Sequence, residues 1–430
     1  MKVLQLCNKP PYPPVDGGTM AMNSVTRGLL RAGCEVRVLT VTTDKHPLMD
    51  GAMTERYRSE THVEGVYVDL GVKPLPAAVA ALCGESYHVK RYRSEAFAAK
   101  LKEVLQQERF DIIHIESIFL TPYVPMIRRY SDAKVILRAH NVEHLIWKRV
   151  AQSTPHGLKR QYIKHLSMTL REYEMEHLQD YDGVVCITRN DADYFRANGC
   201  RRPVTAIPFG VECERLKVKG ERYADAGENM SPAAFHLSPF TSHLSPSELS
   251  LFHIGAMDWM PNQESIAWLL EEVWPVVHRE VPCAHLYLAG RKMPQRWLDA
   301  KIEGVTVVGE VPDAMQFIAD KQVNVVPLLS GSGIRVKIIE AMSAGKVVVS
   351  TTVGAQGIDY TDGVDLLIAD SPADFARQIA RCAADPDFCR NVGHAARKMI
   401  AERYDEERLT AELIDFYKRI CGQRHNSLDQ

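Results

Sequence analysis

The chain has 430 residues, which is too long for one ordinary hydrophobic core and fits two domains of roughly 200 residues each. Its 52 basic and 54 acidic residues leave a formal net charge of −2, which disfavours nucleic acid as a partner. The 10 cysteines show neither CxxC pairs nor the cysteine–histidine spacing of zinc sites, so we expect no metal site and predict reduced thiols in a cytoplasmic protein.

The first half of the chain alternates short apolar runs with segments of helical spacing. The runs rich in Val, Ile and Leu have the length of buried strands: KVLQLC, EVRVLT, FDIIHI, AKVILRAH, DGVVCI and PVTAIPFG. Strands that alternate with helices predict a parallel sheet covered on both faces. We therefore predict a doubly wound α/β domain over residues 1–215.

A loop with two adjacent glycines follows the first predicted strand. Gly17 and Gly18, in NKPPYPPVDGGTM, precede a helix expected to run to about Ala32, so their amides could meet phosphates or an acceptor. The loop matches neither G-x-x-x-x-G-K-[ST] nor G-x-G-x-x-G. Its sequence therefore disfavours both a phosphate-hydrolysing NTPase and a dehydrogenase.

The segment from Trp147 to Leu178 combines cations with apolar residues. Two interpretations stay open: a solvated helix face, or a peripheral site for an anionic membrane and a lipid-linked acceptor. No apolar stretch of the sequence approaches the ~20 residues that a membrane span needs. The cations in question are Lys148, Arg149, Lys159, Arg160, Lys164 and Arg171.

A second alternation of strands and helices follows a Ser/Pro-rich segment at 231–250, which we interpret as a surface insertion. It predicts another doubly wound domain over residues 216–403. The last segment, 404–430, contains an amphipathic helix whose apolar stripe must pack on another surface. The strand-like runs of this half are LSLFHIG, AHLYLAG, VTVVGEV, VNVVPLL, KVVVSTT and DLLIAD.

The stretch SGSGIRVKIIE places small residues, two cations and a carboxylate after one of these runs. Ligands of open α/β sheets bind beyond the carboxyl ends of the strands, where Gly331 and Gly333 would let backbone amides approach phosphates. Arg335 and Lys337 would add positive charge, whereas Glu340 suits ribose hydroxyls because phosphates repel it. A nucleotide diphosphate accounts for all of them, and a glycine turn before a solvated helix is the alternative.

Taken together, several segments resemble the nucleotide-sugar-dependent glycosyltransferases of family 4 (group 1), and the likeness extends over nearly the whole chain. PYPPVDGG resembles the family's first loop, RAHNVEHLIWKR its acceptor-side histidine segment and PFGVE its interdomain hinge. GAMDWMPNQESIAWLLEEVWP resembles the start of its donor domain, GEVPD the segment that lines the base, and SGSGIRVKIIE its donor signature. The resemblance implies two Rossmann-like domains facing a cleft (GT-B), with the last helix crossing back to the first domain.

The resemblance also implies the reaction. A retaining, metal-independent glycosyltransferase would move a sugar from a nucleotide diphosphate sugar to a glycan or lipid-linked acceptor in cell-surface polysaccharide biosynthesis. The nucleotide sugar is then a substrate and no cofactor is expected. The chain would be cytoplasmic, with peripheral contact at the inner face of the membrane as an option. Two alternatives stay open: a nucleotide-sugar epimerase of the same fold, and a non-catalytic nucleotide-sugar-binding protein.

Site residues follow from the matching motifs. The implied catalytic residues are His140, Arg335 and Lys337, with His140 bonding the donor sugar near the bond that breaks. Ser332 stands where the family's Glu-x7-Glu motif has its first Glu, and only Glu340 of that motif is present. The implied donor-binding residues are Gly17, Gly18, Gly255, Glu310, Val311, Gly331, Ser332, Gly333, Ile334 and Glu340.

Overall fold

The computed structural model describes residues 1–49, 51, 53–211, 248–331 and 333–422. The chain divides into two compact units, one of Met1–Gly210 with Glu406–Gln430 and one of Val211–Asp405. Each unit contains one parallel sheet, which confirms the predicted α/β class. The Ser/Pro-rich segment lies outside the described residues as far as residue 247, and strand structure begins again at Leu249.

In its described part the first unit has a sheet of seven parallel strands in the order β3-β2-β1-β4-β5-β6-β7. The strand order reverses between β1 and β4, and both strands are buried along most of their length. The strands are β1 (Lys2–Cys7), β2 (Glu35–Thr42), β3 (Glu64–Tyr67), β4 (Ile112–Ile115), β5 (Lys134–Ala139), β6 (Gly183–Cys186) and β7 (Val204–Ala206).

Helices connect these strands and cover the sheet. Side chains cap several of them at the amino end, as Asp16 does for the first helix by accepting a hydrogen bond from the Thr19 amide. The helices are α1 (Gly17–Arg31), α2 (Glu55–Thr61), α3 (Pro74–Leu82), α4 (Tyr87–Lys90), α5 (Glu95–Gln107), α6 (Val124–Tyr130), α7 (Glu143–Ser153), α8 (Leu158–Glu176) and α9 (Arg189–Ala197).

The described part of the second unit has a sheet of six parallel strands in the order β10-β9-β8-β11-β12-β13. Here the order reverses between β8 and β11. Val predominates in β11 and β12, which are buried along their whole length, as expected for strands covered on both faces. The strands are β8 (Leu249–Ile254), β9 (Ala284–Ala289), β10 (Val305–Gly309), β11 (Val323–Val326), β12 (Val347–Ser350) and β13 (Leu367–Ile368).

The helices of the second unit lie between these strands and after the last of them. A π-helical turn, Leu269–Val273, joins the first two. The helices are α10 (Met260–Trp268), α11 (Trp274–Glu280), α12 (Gln295–Leu298), α13 (Ala314–Ala319), α14 (Val336–Ser343), α15 (Pro372–Ala384) and α16 (Pro386–Arg403).

The last described helix, α17 (Glu406–Gly422), belongs to the first unit. Its apolar stripe is buried in one cluster with side chains of β1, α1 and β6, among them Val3, Met22 and Val185. Gly28 of α1 lies so close to this helix that a Cβ there would be 2.1 Å from Thr410 Oγ1. The stripe consists of Leu409, Leu413, Phe416, Tyr417 and Ile420.

Candidate functional site

The stretch with the two cations lies at the point where the strand order of the second sheet reverses. It follows β11, which is hydrogen-bonded to β8, and it leads into α14. At such a reversal the helices on either side diverge and leave a crevice beyond the carboxyl ends of the strands. Side chains from β8, from the loop at 327–335 and from α14 can therefore meet there.

Two acceptors hold the ammonium group of Lys337. Its Nζ donates to Asn262 Oδ1 at 2.8 Å and lies 3.3 Å from His253 Nε2. His253 is fully buried, and its Nδ1 donates to the Val325 carbonyl at 2.8 Å, so Nε2 is the unprotonated nitrogen that faces the lysine. The lysine is therefore fixed in place before any ligand arrives.

Burial, together with the nearby charge of Arg335, lowers the pKa of Lys337 to about 7. Burial and the lysine charge likewise hold the pKa of His253 well below its usual range, so that ring is neutral. Because this ring is neutral, it accepts from Lys337 and adds no positive charge beside it, and the repulsion that Lys337 meets comes from Arg335.

Gly255, just after β8, is needed for this arrangement. A Cβ at this position would lie 2.9 Å from Lys337 Nζ and 2.8 Å from Asn262 Nδ2. Gly290 in turn brings its own backbone against the Gly255 carbonyl, where a Cβ would be only 1.8 Å away. The predicted donor-binding Gly255 therefore lies directly beside the predicted catalytic Lys337.

Arg335 ends the loop and occupies the position before the first turn of α14. Its guanidinium group is buried, donates to the Gly333 carbonyl at 2.7 Å and lies 5.6 Å from the centroid of the Trp259 ring. Gly331 and Gly333 both have a positive φ, 121° and 77°, which residues other than glycine rarely adopt. Ile334, between Gly333 and Arg335, is half-buried, and Ser332, between the two glycines, lies outside the described residues.

Glu340 lies one helical turn after Lys337 on α14. It is half-buried, and its carboxylate makes no hydrogen bond or ion pair with any other residue that the structure describes. Burial raises its pKa to about 7. A half-buried carboxyl group without a protein partner can accept hydrogen bonds from ligand hydroxyls at little cost in lost protein contacts.

Two predicted donor-binding residues follow a more distant strand. Glu310, which is exposed, and Val311, which is half-buried, come directly after β10 at the edge of the sheet. Two strands, β9 and β8, separate β10 from β11. No described contact joins either residue to Lys337 or Arg335, so their donor-binding role stays a prediction.

In the first unit, Gly17 and Gly18 form the first turn of α1. Lys9 Nζ donates to both carboxylate oxygens of Asp16 at 2.7 Å, and a Cβ on Gly18 would lie 3.1 Å from that ammonium. Burial alone would raise the pKa of Asp16, but the charge and hydrogen bond of Lys9 outweigh it and lower that pKa. The Thr19 amide at the start of α1 is already bonded to the Asp16 carboxylate. The absence of a side chain on Gly18 lets the Lys9 ammonium lie close to the loop.

His140 follows β5 and is bonded to a carboxylate that the sequence did not single out. Its Nε2 lies 2.8 Å from Oε2 of Glu116, the residue after β4. Glu116 is 1% exposed, and its Oε1 accepts from Gln5 Nε2 at 2.6 Å. Neighbouring parallel strands end at the same edge, which brings these two residues together although 24 positions separate them.

A buried polar network extends from Glu116 to the last helix. His114 Nε2 lies 3.3 Å from Glu116 Oε1, and His114 Nδ1 lies 2.5 Å from the hydroxyl of Tyr417 on α17. Arg138 is 1% exposed and its Nε is 3.8 Å from Glu116 Oε2. Among the residues the structure describes, this is the one grouping that links His140 to ionisable side chains at full burial.

Sequence reasoning missed Glu116, His114 and Arg138 in the first unit, and His253 and Asn262 in the second. A signal existed for some of them, because polar residues at the ends of apolar strand runs, as in FDIIHIES and LFHIG, are expected to line the carboxyl edge of a sheet. In the described ranges, no three His, Cys, Asp or Glu side chains are grouped so that they could hold a metal ion. None of the described helices is long and apolar enough to cross a membrane.

Two family models match consecutive parts of the chain. The model described as Glycosyltransferase Family 4 matches residues 15–215, and the model described as Glycosyl transferases group 1 matches residues 248–385. Together these ranges include strands β2 to β7 and β8 to β13. An uncharacterized 44.6 kDa protein in the cps region of Klebsiella pneumoniae is 22% identical over 328 residues, which are 74% of this chain and 76% of that protein.

Solved structures match over both units. Sucrose-phosphate synthase from Thermosynechococcus elongatus has a TM-score of 0.69 at 16% identity and covers 98% of this chain and 99% of its own. Anabaena Alr3699/HepE, solved in complex with UDP and glucose, has a TM-score of 0.63 at 13% identity, covering 97% of this chain and 99% of its own. At identities this low, the matches show the fold alone. They confirm the predicted GT-B fold class.

Proposed function

Because the chain belongs to the family 4 (group 1) glycosyltransferases, we propose that it transfers a hexosyl group from a nucleotide diphosphate sugar to a glycan or lipid-linked acceptor. The pathway we propose is cell-surface polysaccharide biosynthesis, which the relative in the cps region of Klebsiella pneumoniae supports. UDP-sugars are the first donors to test, since HepE was solved with UDP and glucose.

The observation that carries this proposal is the grouping, at the strand-order reversal of the second sheet, of two cations and one carboxyl group to which no described residue is bonded. Lys337 and Arg335 supply positive charge for a diphosphate, and their fixed positions mean that little reorganisation is needed when charge develops. Glu340 then serves the ribose hydroxyls. A solvated helix face would not bury an arginine or hold a lysine between two acceptors.

In the proposed reaction, the bond between the anomeric carbon and the diphosphate oxygen breaks, and the electron pair leaves with the diphosphate. The acceptor hydroxyl oxygen bonds to the anomeric carbon on the same face, so the configuration is retained, and its proton passes to the leaving diphosphate oxygen. Lys337 and Arg335 stabilise the negative charge that grows on the leaving group. We propose that these cations stabilise the leaving diphosphate in place of a divalent metal ion. We also propose that His140 forms a hydrogen bond with a sugar hydroxyl.

We further propose that the acceptor side works at a membrane surface, on the basis of α3 and α8. Helix α3 contains no charged residue and leaves Leu75 76% exposed and Leu82 88% exposed, while its Ala77 and Ala80 belong to one buried cluster with Tyr87 of α4 and Leu166 of α8. Residues 144–171 include six basic and no acidic side chains. An apolar helix beside basic residues is typical of proteins that bind anionic lipid surfaces.

The experiment that tests the function has two stages. Thermal unfolding with UDP-, GDP- and ADP-sugars comes first, and a donor at 100 times its dissociation constant should stabilise the protein by about 2.7 kcal/mol. The stabilising donor is then incubated with lipid-linked and free glycan acceptors in EDTA, and the anomeric configuration of the product is read by NMR.

We expect transfer in EDTA with the donor's configuration kept. No stabilisation by any nucleotide sugar would contradict the proposal as a whole. Transfer only after Mg²⁺ or Mn²⁺ is restored would contradict metal independence alone, and an inverted product would contradict retention alone. Conversion of the donor without acceptor would point to an epimerase instead.

A further inference from the structure

Glu116 is held on several sides, so its carboxylate cannot turn away from His140. Its Oε1 accepts from Gln5 Nε2 at 2.6 Å, and its amide donates to the Leu6 carbonyl at 2.9 Å. Gln5 is itself fixed, because its Oε1 accepts from Thr26 Oγ1 at 2.6 Å. The remaining carboxylate oxygen, Oε2, is the one that meets His140.

The protonation state of this pair follows from its chemistry. Burial would raise the pKa of Glu116, but the nearby His114 ring and the hydrogen bond from His140 outweigh it and keep that pKa well below its usual range. An ionised carboxylate can only accept, so the Nε2 of His140 must carry the proton. Nδ1 is then the unprotonated nitrogen, and it makes no hydrogen bond with any described residue.

The charged groups facing His140 are Glu116 after β4, Arg138 on β5 and Lys9 after β1. Burial lowers the pKa of His140, Glu116 raises it, and the two cations lower it again, with a net decrease. The ring is therefore neutral near pH 7 with an acceptor at Nδ1. Such a nitrogen pairs with a hydroxyl, which has a proton to donate, and not with an ionised phosphate oxygen, which has none.

We propose that Glu116 is a positioning residue that fixes the ring and tautomer of His140, so that His140 Nδ1 accepts a hydrogen bond from a sugar or acceptor hydroxyl. The inference rests on the proposed function for the identity of the hydroxyl, but the tautomer and orientation depend on this chain alone. Histidines oriented by a carboxylate in this way gain both a fixed ring and a more basic free nitrogen.

The test combines ring NMR with kinetics on the full chain. Nitrogen-15 spectra of the histidine rings, with His140 assigned through its loss in His140→Asn, should show the Nε2-protonated tautomer in the wild type. Glu116→Gln keeps the shape and removes the charge, so the ring should become a mixture of tautomers with a lower pKa. We expect kcat/KM for transfer to fall about 10- to 100-fold, the usual cost of losing an orienting partner.

Glu116→Asp is the second variant, because Glu116→Gln leaves Arg138 without its nearby carboxylate, a loss that by itself can prevent folding. The shorter side chain keeps the charge but withdraws it from His140, so the tautomer should again be mixed. The matched control is Glu174→Gln, which breaks a buried pair of the same kind, His144 Nδ1 to Glu174 Oε2 at 2.6 Å. It should leave the His140 signals and the pH profile of kcat unchanged.

An unchanged His140 tautomer and pKa in both Glu116 variants would overturn the inference, even with transfer activity present. A changed tautomer together with unchanged kcat/KM would overturn the part that assigns a substrate hydroxyl to Nδ1. If the tautomer responds but no donor supports transfer, the positioning stands and the proposed function fails.

Discussion

Lys337 and Glu340 lie one turn apart on α14, and burial moves the pKa of both to about 7 from opposite directions. Each group can therefore change its charge in response to a ligand close to physiological pH. A diphosphate would favour the charged lysine, and ribose hydroxyls would favour the carboxylate. Their different ligands mean that their variants should fail in different ways.

The first prediction concerns kinetics. Lys337→Ala removes charge stabilisation that grows as the diphosphate leaves, so kcat should fall on the order of 100-fold. Glu340→Gln keeps the shape and weakens hydrogen bonds made equally in ground and transition states, so KM for the donor should rise more than kcat falls. The measurement is steady-state transfer with varied donor, and Lys292→Ala, an exposed lysine paired with Asp258, is the control. Near wild-type values for both variants would return α14 to a purely structural role.

The second prediction concerns proton uptake. At pH 8 most of the ligand-free Lys337 is neutral, because its pKa is about 7, and a bound diphosphate should restore its charge. Nucleoside diphosphate binding at pH 8 should therefore take up a proton, and affinity should fall as pH rises above 7. Calorimetry in buffers of different ionisation enthalpy measures the uptake. Glu340→Gln should keep it, since that carboxyl is already ionised at pH 8, whereas uptake that persists in Lys337→Ala would disprove the assignment.

At the scale of elements, α3 and α8 form the surface that we propose for lipid contact. Leu75, Val79 and Leu82 follow one face of α3 at helical spacing, and all three are exposed. On α8, Lys159 and Tyr162 share the face of Leu166, which belongs to the same buried cluster as Ala77 and Ala80 of α3, whereas Lys164 lies on the opposite side of the helix. Lys159 and Lys164 are both exposed and carry the same charge, and they differ in the face of α8 on which they lie.

The third prediction uses that difference. Binding to vesicles of equal parts phosphatidylglycerol and phosphatidylcholine should fall about 30-fold in Lys159→Glu, because each unit of charge near an anionic surface contributes about 1 kcal/mol. Leu82→Ser should cost at least about tenfold through lost apolar burial. Flotation of the full chain without donor measures both, with Lys164→Glu as the matched control. Equal losses for the two lysine variants, or self-association through α3 seen by sedimentation, would exclude this surface as the lipid contact.

Elements were more predictable from sequence than the contacts between them. Apolar runs such as VNVVPLL predicted buried parallel strands because a strand covered on both faces has no polar side. The cations of SGSGIRVKIIE could likewise be identified from the local sequence alone, because they follow such a run. The Glu116–His140 pair was not, since it depends on which strands become neighbours, and the contact of Tyr417 with His114 joins residues 303 positions apart.

The buried groups that support the candidate site escaped prediction on different grounds. His253 looks like an ordinary strand residue until its neighbour β11 supplies the carbonyl that fixes its tautomer. Asn262 becomes informative only when α10 brings it to Lys337. A polar residue within an apolar run signals that a partner exists, but the sequence does not say which one.

At the scale of the whole molecule, the first unit is built from two distant parts of the chain. Residues up to Gly210 form its sheet, and α17 covers one face of that sheet after the whole second unit has intervened. The contact between α1 and α17 is close, because Gly28 has no side chain to separate them from Thr410. Stability of the first unit should depend on that contact.

The fourth prediction tests this dependence with a double-mutant cycle. Gly28→Ala places a methyl group where Thr410 Oγ1 lies, so the free energy of unfolding should fall by about 1–3 kcal/mol despite the better helix propensity of alanine. Thr410→Ala removes that oxygen, and the double variant should regain most of the loss. Urea unfolding measures all four proteins. Strictly additive effects would mean that the two helices do not press on each other at this point.

The position of α17 also has a consequence during synthesis. The ribosome completes the first sheet, then adds roughly 195 more residues before α17 emerges, which at 5–20 residues per second takes on the order of 10–40 s. Throughout that time the side chains of β1, α1 and β6 that pack against α17 lack its cover. The nascent first unit therefore has an uncovered apolar surface. Chaperones that bind such surfaces have the time until the 17-residue helix α17 is synthesised in which to bind it.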